Sequence, residues 1–575
     1  MNHGPSPQRF ALTAFVAVAA LQGLAVAEEN QQLAVPLGFD ARLFAREPMI
    51  INPVAMTWDA RGRLWVVERH ELSLSRKTGK DRIKILEDTN ADGKADKALV
   101  FANGFHGATG ILLGHGVVYL AEGADLRLLE DTNGDDKPEN QRVLWTGLGE
   151  RDRQILLNSL LWGPDGNLYL SYNVFSRSAR DTQPAFIAAG AGRIDPRTGR
   201  FERFAEGLGN SWGLDFDSTG NAFIATAGHL SHILPGGIYE RPGSSPLARP
   251  PRTIDELQGN YAGINVYHGD QWPHEWQAVV LHGKPGANAI QTGRFIPNGS
   301  TFDFTNSNAN SQFLVANDTR FSPVSIQTGP DGAVWIADCR DKWFRQQGRD
   351  RQSPKQGRIW RMVWTGDNLQ RPVSSRPSQA MDLSKLSSAD LAALLAHPNI
   401  WHRRMAQRLL SERGLTAFGR PHLHQGTPLH KLMEKDTNTH VRLAALWTAH
   451  GAGFLEEVAL DTVASDKDPA LRRWAARLTG ERGYLLKDSF DRLIKLAKDS
   501  DLSVRTAAAI AARQFVSSDL TTNTPPKIPI TEVATGGILS ALFLNSSNNV
   551  DETFDFHFWM ALEPIVAFDP GVIDY

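Results

Sequence analysis

Internal repetition constrains this chain more than any single motif does, because a unit that recurs at a fixed spacing folds by stacking on its own copies. The segment Trp58-Asp59-Ala60-Arg61-Gly62-Arg63-Leu64-Trp65-Val66-Val67-Glu68 is echoed by Trp162-Gly163-Pro164-Asp165-Gly166-Asn167-Leu168-Tyr169-Leu170 and by Gly329-Pro330-Asp331-Gly332-Ala333-Val334-Trp335-Ile336-Ala337-Asp338. Each reads as strand, tight turn, strand: Asp-Gly tolerates positive φ at a hairpin tip, and β-branched and aromatic flanks favour extended backbone. Leu214 to Ala225, with Ser218-Thr219-Gly220-Asn221 at its turn, is a fourth copy, and Gly116 to Ala121 and Gln277 to Leu281 are weaker ones. The aligned positions Trp65, Tyr119, Tyr169, Phe223, Val280 and Trp335 recur at roughly 50 to 57 residues, a blade with extended loops. Six units predict a six-bladed β-propeller over residues 33–365, ending on the strand Gly357-Arg358-Ile359-Trp360-Arg361.

At 575 residues the chain exceeds what one core supports, and the pattern changes period after the propeller. Pro372 to Pro377 is polar and Pro-bearing, placing a linker at 366–384. Arg404-Met405-Ala406, Arg442-Leu443-Ala444-Ala445, Arg473-Trp474-Ala475-Ala476 and Arg505-Thr506-Ala507-Ala508 then repeat at roughly 31 to 38 residues, with Leu391, Leu394 and Leu395 at helical spacing. His397-Pro398, Asp436, Asp468-Pro469 and Asp501 are placed to open the second helix of each pair. The fold class is multidomain, β then α: a propeller followed by an α-helical, HEAT-like solenoid over 385–575, a surface suited to a protein partner or electron acceptor.

Lys plus Arg number 61 and Asp plus Glu 63, so no basic field draws nucleic acid. The single cysteine, Cys339, excludes an intrachain disulfide, a multi-Cys zinc site and a CxxCH attachment, hence covalent haem. At the N-terminus Arg9, the apolar run Phe10 to Leu21 and Ala25-Val26-Ala27 read as a signal peptide over 1–27, cleaved after Ala27. The expectation is a periplasmic or secreted protein with no transmembrane span after cleavage.

With these residues in view, the chain resembles the membrane-bound dehydrogenase family of planctomycetes and verrucomicrobia, whose propeller is similar to that of soluble glucose and sorbosone dehydrogenases. The resemblance rests on Leu64 to Glu68, on Ile83 to Lys94, on Asn158 to Gly166, and on Asn298-Gly299-Ser300-Thr301-Phe302, Arg320-Phe321-Ser322-Pro323-Val324 and Gly357 to Arg361. It implies oxidation of a sugar or polyol with pyrroloquinoline quinone as a dissociable cofactor. Two departures stand out. The chain lacks the C-terminal cytochrome c domain of many relatives. Where the sugar dehydrogenases carry a basic histidine, it reads Asp152-Arg153-Gln154-Ile155-Leu156-Leu157-Asn158, and arginine stays protonated at working pH.

Polar residues ending the inner strands are the candidates for a site at the channel mouth. Asp338 or His229 would take a substrate proton while Arg320 steadies the developing alkoxide, and Glu68, Arg69, Asn158 and Asn210 would contact the cofactor. Hydrogen bonding to neighbouring backbone is the competing role for each. Two acidic loops space oxygen ligands as Ca²⁺ requires: Asp88, Asn90, Asp92 and Asp96 with Gly93 at the sharp turn, and Asp131, Asn133, Asp135 and Glu139 with Asp136 in place of glycine. The sequence is also compatible with a non-catalytic module binding glycan or protein, and with a calcium-dependent lactonase-like hydrolase built on Glu68, Asn158 and Asn210.

Overall fold

The computed structural model describes residues 33–70, 79–148, 157–172, 189–239, 255–305, 312–340, 356–367, 382–414, 427–483, 486–516, 529–545 and 551–568. The expected signal peptide and most of the expected linker therefore lie outside the described residues. The six units are six antiparallel blades, each a four-stranded meander, two of them extended. Their inner strands are Pro53–Trp58, Ala108–Gly114, Asn158–Trp162, Leu214–Phe216, Ala262–Val266 and Pro323–Thr328. The fourth strand of the sixth blade comes from the other end of the propeller: Phe39–Arg46 pairs antiparallel with Arg358–Trp364 and closes the ring. The fifth blade carries an extra hairpin, Ala289–Asn298 with Thr301–Thr305.

The turn motif that announced the repeat is a structural lock. In three blades the turn aspartate accepts a hydrogen bond from an aromatic side chain on the following strand: Trp65 Nε1 to Asp59 at 3.1 Å, the Tyr169 hydroxyl to Asp165 at 2.7 Å, and Trp335 Nε1 to Asp331 at 2.8 Å. In two blades an arginine from the third strand completes it, Arg193 on Asp165 at 2.7 Å and Arg361 on Asp331 at 2.5 Å. A ring with a polar edge is buried without leaving that edge unpaired.

Ten helices follow among the described residues, from Ser388–Leu394 to Glu552–Phe568. Helices Ile400–Arg413, Thr439–Gly451, Pro469–Glu481 and Leu502–Val516 start alike. Asn399, Asn438, Asp468 and Asp501 each accept from the backbone N–H two residues on, at 2.9 Å. For the first two helices the cap is thus an asparagine, with His397-Pro398 and Asp436 just outside it. Four residues past the cap stands an arginine. Arg403, Arg472 and Arg505 donate back to carbonyls of the preceding turn, and Arg442 and Arg472 each grip an aspartate of the next repeat, Asp466 and Asp499.

These four helices form the layer that packs on the propeller. The turns between first and second strands, the Asp-Gly turns of the repeat, all lie on this face. Gly220 shows how close the approach is: a Cβ there would stand 2.5 Å from Trp474 and 2.9 Å from Trp447, and its φ of +78° already favours glycine. At the far end the fifth-blade hairpin holds the last helix, Ser300 donating to Asp551 through its N–H at 2.9 Å and its hydroxyl at 2.5 Å.

Replacing Asp331 by alanine removes the partner of a buried indole N–H and the carboxylate beside a fully buried guanidinium. The expected loss is about 3 kcal/mol of propeller stability, read as a lower unfolding temperature of the strand-rich transition, whereas Asp390→Ala on an exposed helix turn changes little.

Candidate functional site

The inner strands begin at one end of the ring, the mouth, and finish at the other, the floor. The floor is covered. Helix Ile400–Arg413 and its cap touch the strand ends or turns of five blades: Asn399 bonds the carbonyls of Gly329 and Pro330, the Ile400 N–H that of His268, Arg404 that of Phe216, Gln407 that of Pro164 and Arg408 that of Leu113. The Leu383 N–H reaches Ala60 in the remaining blade. An axial cavity of about 160 Å³ remains between this helix and the inner strands. Towards the mouth Trp212, from the lead-in to the fourth blade, extends past the fifth and donates its indole N–H to Val324 O of the sixth at 2.7 Å.

Polar groups along the cavity wall bond to one another or to neighbouring strands. Gln327 donates to Met56 O, Thr328 to Asn265, Asn265 to Asp215, and Asp215 pairs with Arg404. The chemistry available to a ligand therefore concentrates at the mouth.

There, three blades end their second strand on a carboxylate that grips the loop leading into the same blade. Glu68 accepts from the Ile51 N–H at 2.8 Å, Glu122 from His106 at 2.7 Å and Asp338 from Ser322 at 2.8 Å. The next residue answers with its own N–H, Arg69 to Asn52 O, Gly123 to Gly107 O and Cys339 to Ser322 O. For these carboxylates the backbone role weighed from the sequence is real. They differ in what else they meet.

Glu68 is fully buried and saturated by cations: Arg82 pairs with one oxygen, which His70 also meets at 3.2 Å, and Lys84 pairs with the other at 3.0 Å. Burial opposes its charge, but the bonds from His70 and Arg82 and the Lys84 ammonium hold it below the usual carboxylate range. With both oxygens engaged it offers none to a calcium ion or a cofactor. Asp338 is equally buried but under-satisfied. One oxygen takes the Ser322 and Arg340 N–H groups; the other has no hydrogen bond and faces the Arg340 guanidinium at 3.7 Å. Burial pushes its pKa up to about 6 against the pull of the Ser322 N–H, of the Arg340 and Arg358 charges and of the Trp360 indole, which faces the carboxylate without closing a hydrogen bond of good geometry.

Around Asp338 the contacts are continuous. Arg340 and Arg320 both pair with Asp318, Arg320 donates to Gln356, the Gln356 carbonyl takes the Asn52 N–H, and Asn52 O takes that of Arg69. This seam joins the sixth blade to the first and gathers Asp338, Arg320, Arg69 and Glu68 of the expected residues. Arg340 and Arg358 belong to it as well. Arg340 stands two residues beyond Asp338, where strand end and φ of +53° turn it back onto the carboxylate. Asn158 and Asn210 lie across the ring between third and fourth blades. Asn158 is fully engaged, donating to Ser211 O and accepting from the Ser159 and Ser171 hydroxyls. Asn210, at φ +28°, has a buried carbonyl oxygen without a partner. His229 sits in the fourth blade opposite Glu256, its Nδ1 also without a hydrogen bond.

The acidic loops are turns on the floor side whose carboxylates cap their own backbone. Asp88 takes the Asp92 and Gly93 N–H groups, Asp92 that of Lys94, and Asp96 those of Thr89 and Asn90. In the second loop Asp131, Asp135 and Glu139 bring one oxygen each within 4.8 Å of one another; among the described residues no other such cluster occurs. Asp136, in the glycine position, forms a two-point ion pair with Arg63 of the first blade. Glu68→Gln leaves Lys84 and Arg82 without their carboxylate and is expected to lower propeller stability by about 3 kcal/mol in chemical denaturation, more than an equivalent change at half-buried Glu130.

Among solved structures, a glucose dehydrogenase-type oxidoreductase from Thermus thermophilus is similar at 17% identity and a TM-score of 0.42, covering 57% of this chain and all of its own. The soluble aldose sugar dehydrogenase of Escherichia coli, in its apo-form, aligns at 12% identity and a TM-score of 0.41, over 57% of this chain and 99% of its own. The PQQ-bound aldose sugar dehydrogenase of Streptomyces coelicolor aligns at 15% and 0.40, over 57% and 99%. No curated protein matches the chain. The family described as "Domain of unknown function (DUF7133)" matches residues 25–259 and 253–365, more than half of the sequence, and the chain belongs to that family.

Proposed function

We propose that this chain is an exported oxidoreductase that oxidises an alcohol of a sugar or polyol at the propeller mouth, with a dissociable quinone as first electron acceptor and a separate partner as the next. The observation that carries the reading is Asp338: a buried carboxylate with one unbonded oxygen and a raised pKa, ringed by arginines, is what a general base near neutral pH requires. Asp338 takes the hydroxyl proton. Arg340, and Arg320 with 43% of its side chain exposed, stand beside the oxygen that becomes anionic.

The residues present fit pyrroloquinoline quinone in part. Arg320, whose side chain is 43% exposed, is the cation its carboxylates would reach, with Arg69, Arg340 and Arg358 buried behind it, and Asn210 supplies an amide oxygen with no partner; Glu68 and Asn158 are otherwise engaged. A bound quinone supplies the acceptor for the hydride leaving the carbinol carbon, and the products are a carbonyl and the reduced quinone. Calcium is a separable part of the reading, and Asp131, Asp135 and Glu139 are its better seat. No helix among the described residues is long and apolar enough to cross a membrane.

Dye-linked oxidation of a sugar and polyol panel by the purified protein with pyrroloquinoline quinone tests the proposal. Activity is expected to rise about tenfold per pH unit up to about pH 6 and to level off above, following Asp338 ionisation. Asp338→Asn lowers turnover by at least ~100-fold. It does not lower stability: with the folded pKa raised from 3.8, the wild-type charge opposes folding increasingly from pH 4 to 6, by about 3 kcal/mol above that. Neither quinone binding nor turnover would leave the mouth as a recognition surface. For the acidic loop, millimolar calcium raises the unfolding temperature relative to chelator and Asp135→Asn abolishes the rise; no difference assigns the loop a turn role alone.

A further inference from the structure

Eight of the chain's 17 histidines lie where the helical layer meets the propeller: His115, His232, His268, His397, His402, His440, His450 and His557. Four form one patch under the fourth to sixth blades. His402 Nε2 donates to Pro330 O at 3.0 Å, while its Nδ1 is buried without a partner and its ring lies 4.1 Å from that of His397. His397 Nδ1 accepts the Asn399 N–H at 3.0 Å. His440 Nδ1 donates to Ser218 O at 3.2 Å, and its ring is 6.5 Å from that of His268, whose Nε2 is unbonded.

In His397, His402 and His440 one ring nitrogen is engaged by a backbone group, and the surroundings of all four rings do not welcome a second proton. Arg403 and Arg404 from the floor helix face His268; Arg403 also faces His397 and His440. The opposing charges are Asp270 on the propeller, beside His397, and Asp217 and Asp468 near His440. Asp270 is itself pushed towards its neutral form by burial. Among the described residues His402 faces His397, the Pro330 carbonyl and the edge of Trp401.

We propose that this patch is a proton-operated latch: the helical layer stays seated on the propeller floor while the four imidazoles are neutral and lifts as they become charged. The sign follows from burial. Desolvation holds His268 at about 3 and His402 at about 4, with His397 and His440 lowered too, whereas in a separated state all four face water. Docking is thus fully favoured above about pH 6.5 and weakens as pH falls towards 4. Between pH 7.5 and 5.0 each of His268 and His402 weakens docking about thirtyfold, together on the order of a thousandfold. Lifting the layer uncovers the axial cavity from below.

The test is small-angle scattering and circular dichroism on the full chain from pH 7.5 to 4.5. The expected result is a rise in radius of gyration below pH 6.5 with helix and strand content unchanged. The triple variant His268→Asn, His402→Gln, His440→Gln, which keeps neutral hydrogen-bonding side chains, remains compact at least one pH unit lower. Should that variant fail to fold, calorimetry of the wild-type transition at pH 5.5 in buffers of different ionisation enthalpy gives the protons taken up, expected at two or more. Unchanged dimensions down to pH 4.5, a variant with wild-type acid sensitivity, or no proton uptake overturns the latch.

Discussion

Everything at the mouth depends on the ring being closed by strand pairing between the two ends of the propeller. Residues 39 to 46 form the outer strand of a blade whose other three strands come from residues 323 to 364, in register from Phe39 opposite Trp364 to Arg46 opposite Arg358. Backbone hydrogen bonds individually contribute little net stability, but an unclosed ring leaves two unpaired sheet edges. The closure also brings Asn52 to Gln356 and so joins Arg69 to Asp338 through a chain of contacts. The under-satisfied carboxylate thus sits at the seam, where lead-in loop, first blade and last blade meet.

The same repeat produces both the rigidity of the blades and the lower face on which the helices rest. In the first, third and sixth blades an aspartate at the turn fixes an aromatic ring inside the blade and presents the turn outwards. In the third blade it goes further: Asp165 pairs with Arg193 from its own blade and with Arg477 from the helical layer, and Glu481 meets Arg193 at 2.7 Å. Such a buried network fixes one relative orientation of its parts more than it adds to stability. The fifth-blade hairpin holds the last helix and the floor helix spans the axis, so the layer is tied at both ends.

Much of this was legible in the sequence, for physical reasons. Turn chemistry and aromatic spacing are local, so Trp65, Tyr169 and Trp335 mark their strands, and the alanine-rich helices are marked by the arginine four residues past each cap. That Glu68 and Asn158 are engaged elsewhere was not legible, because their partners, Lys84 and Ser211 among them, become neighbours only when the blades stack. Trp212 reaches a blade 112 residues away in sequence, and no local pattern foretells that. Nor does any periodicity reveal which face of the propeller the helices cover. Arg340 was readable as a polar residue at a strand end; its grip on Asp338 depends on a left-handed backbone at that position.

The order in which the ring is completed bears on how the chain folds as it is made. Its closing strand is synthesised first and has no partner until residue 358 has been added, so a stretch of buried-type residues waits through six blades of translation before it can pair. The floor helix follows closely behind and contacts all six blades with the segment before it, so it finds its full complement of carbonyls only on a finished ring. Seating of the helical layer thereby acts as a gauge: a propeller missing a blade or left open presents the wrong spacing, and the helices that follow have nowhere to settle.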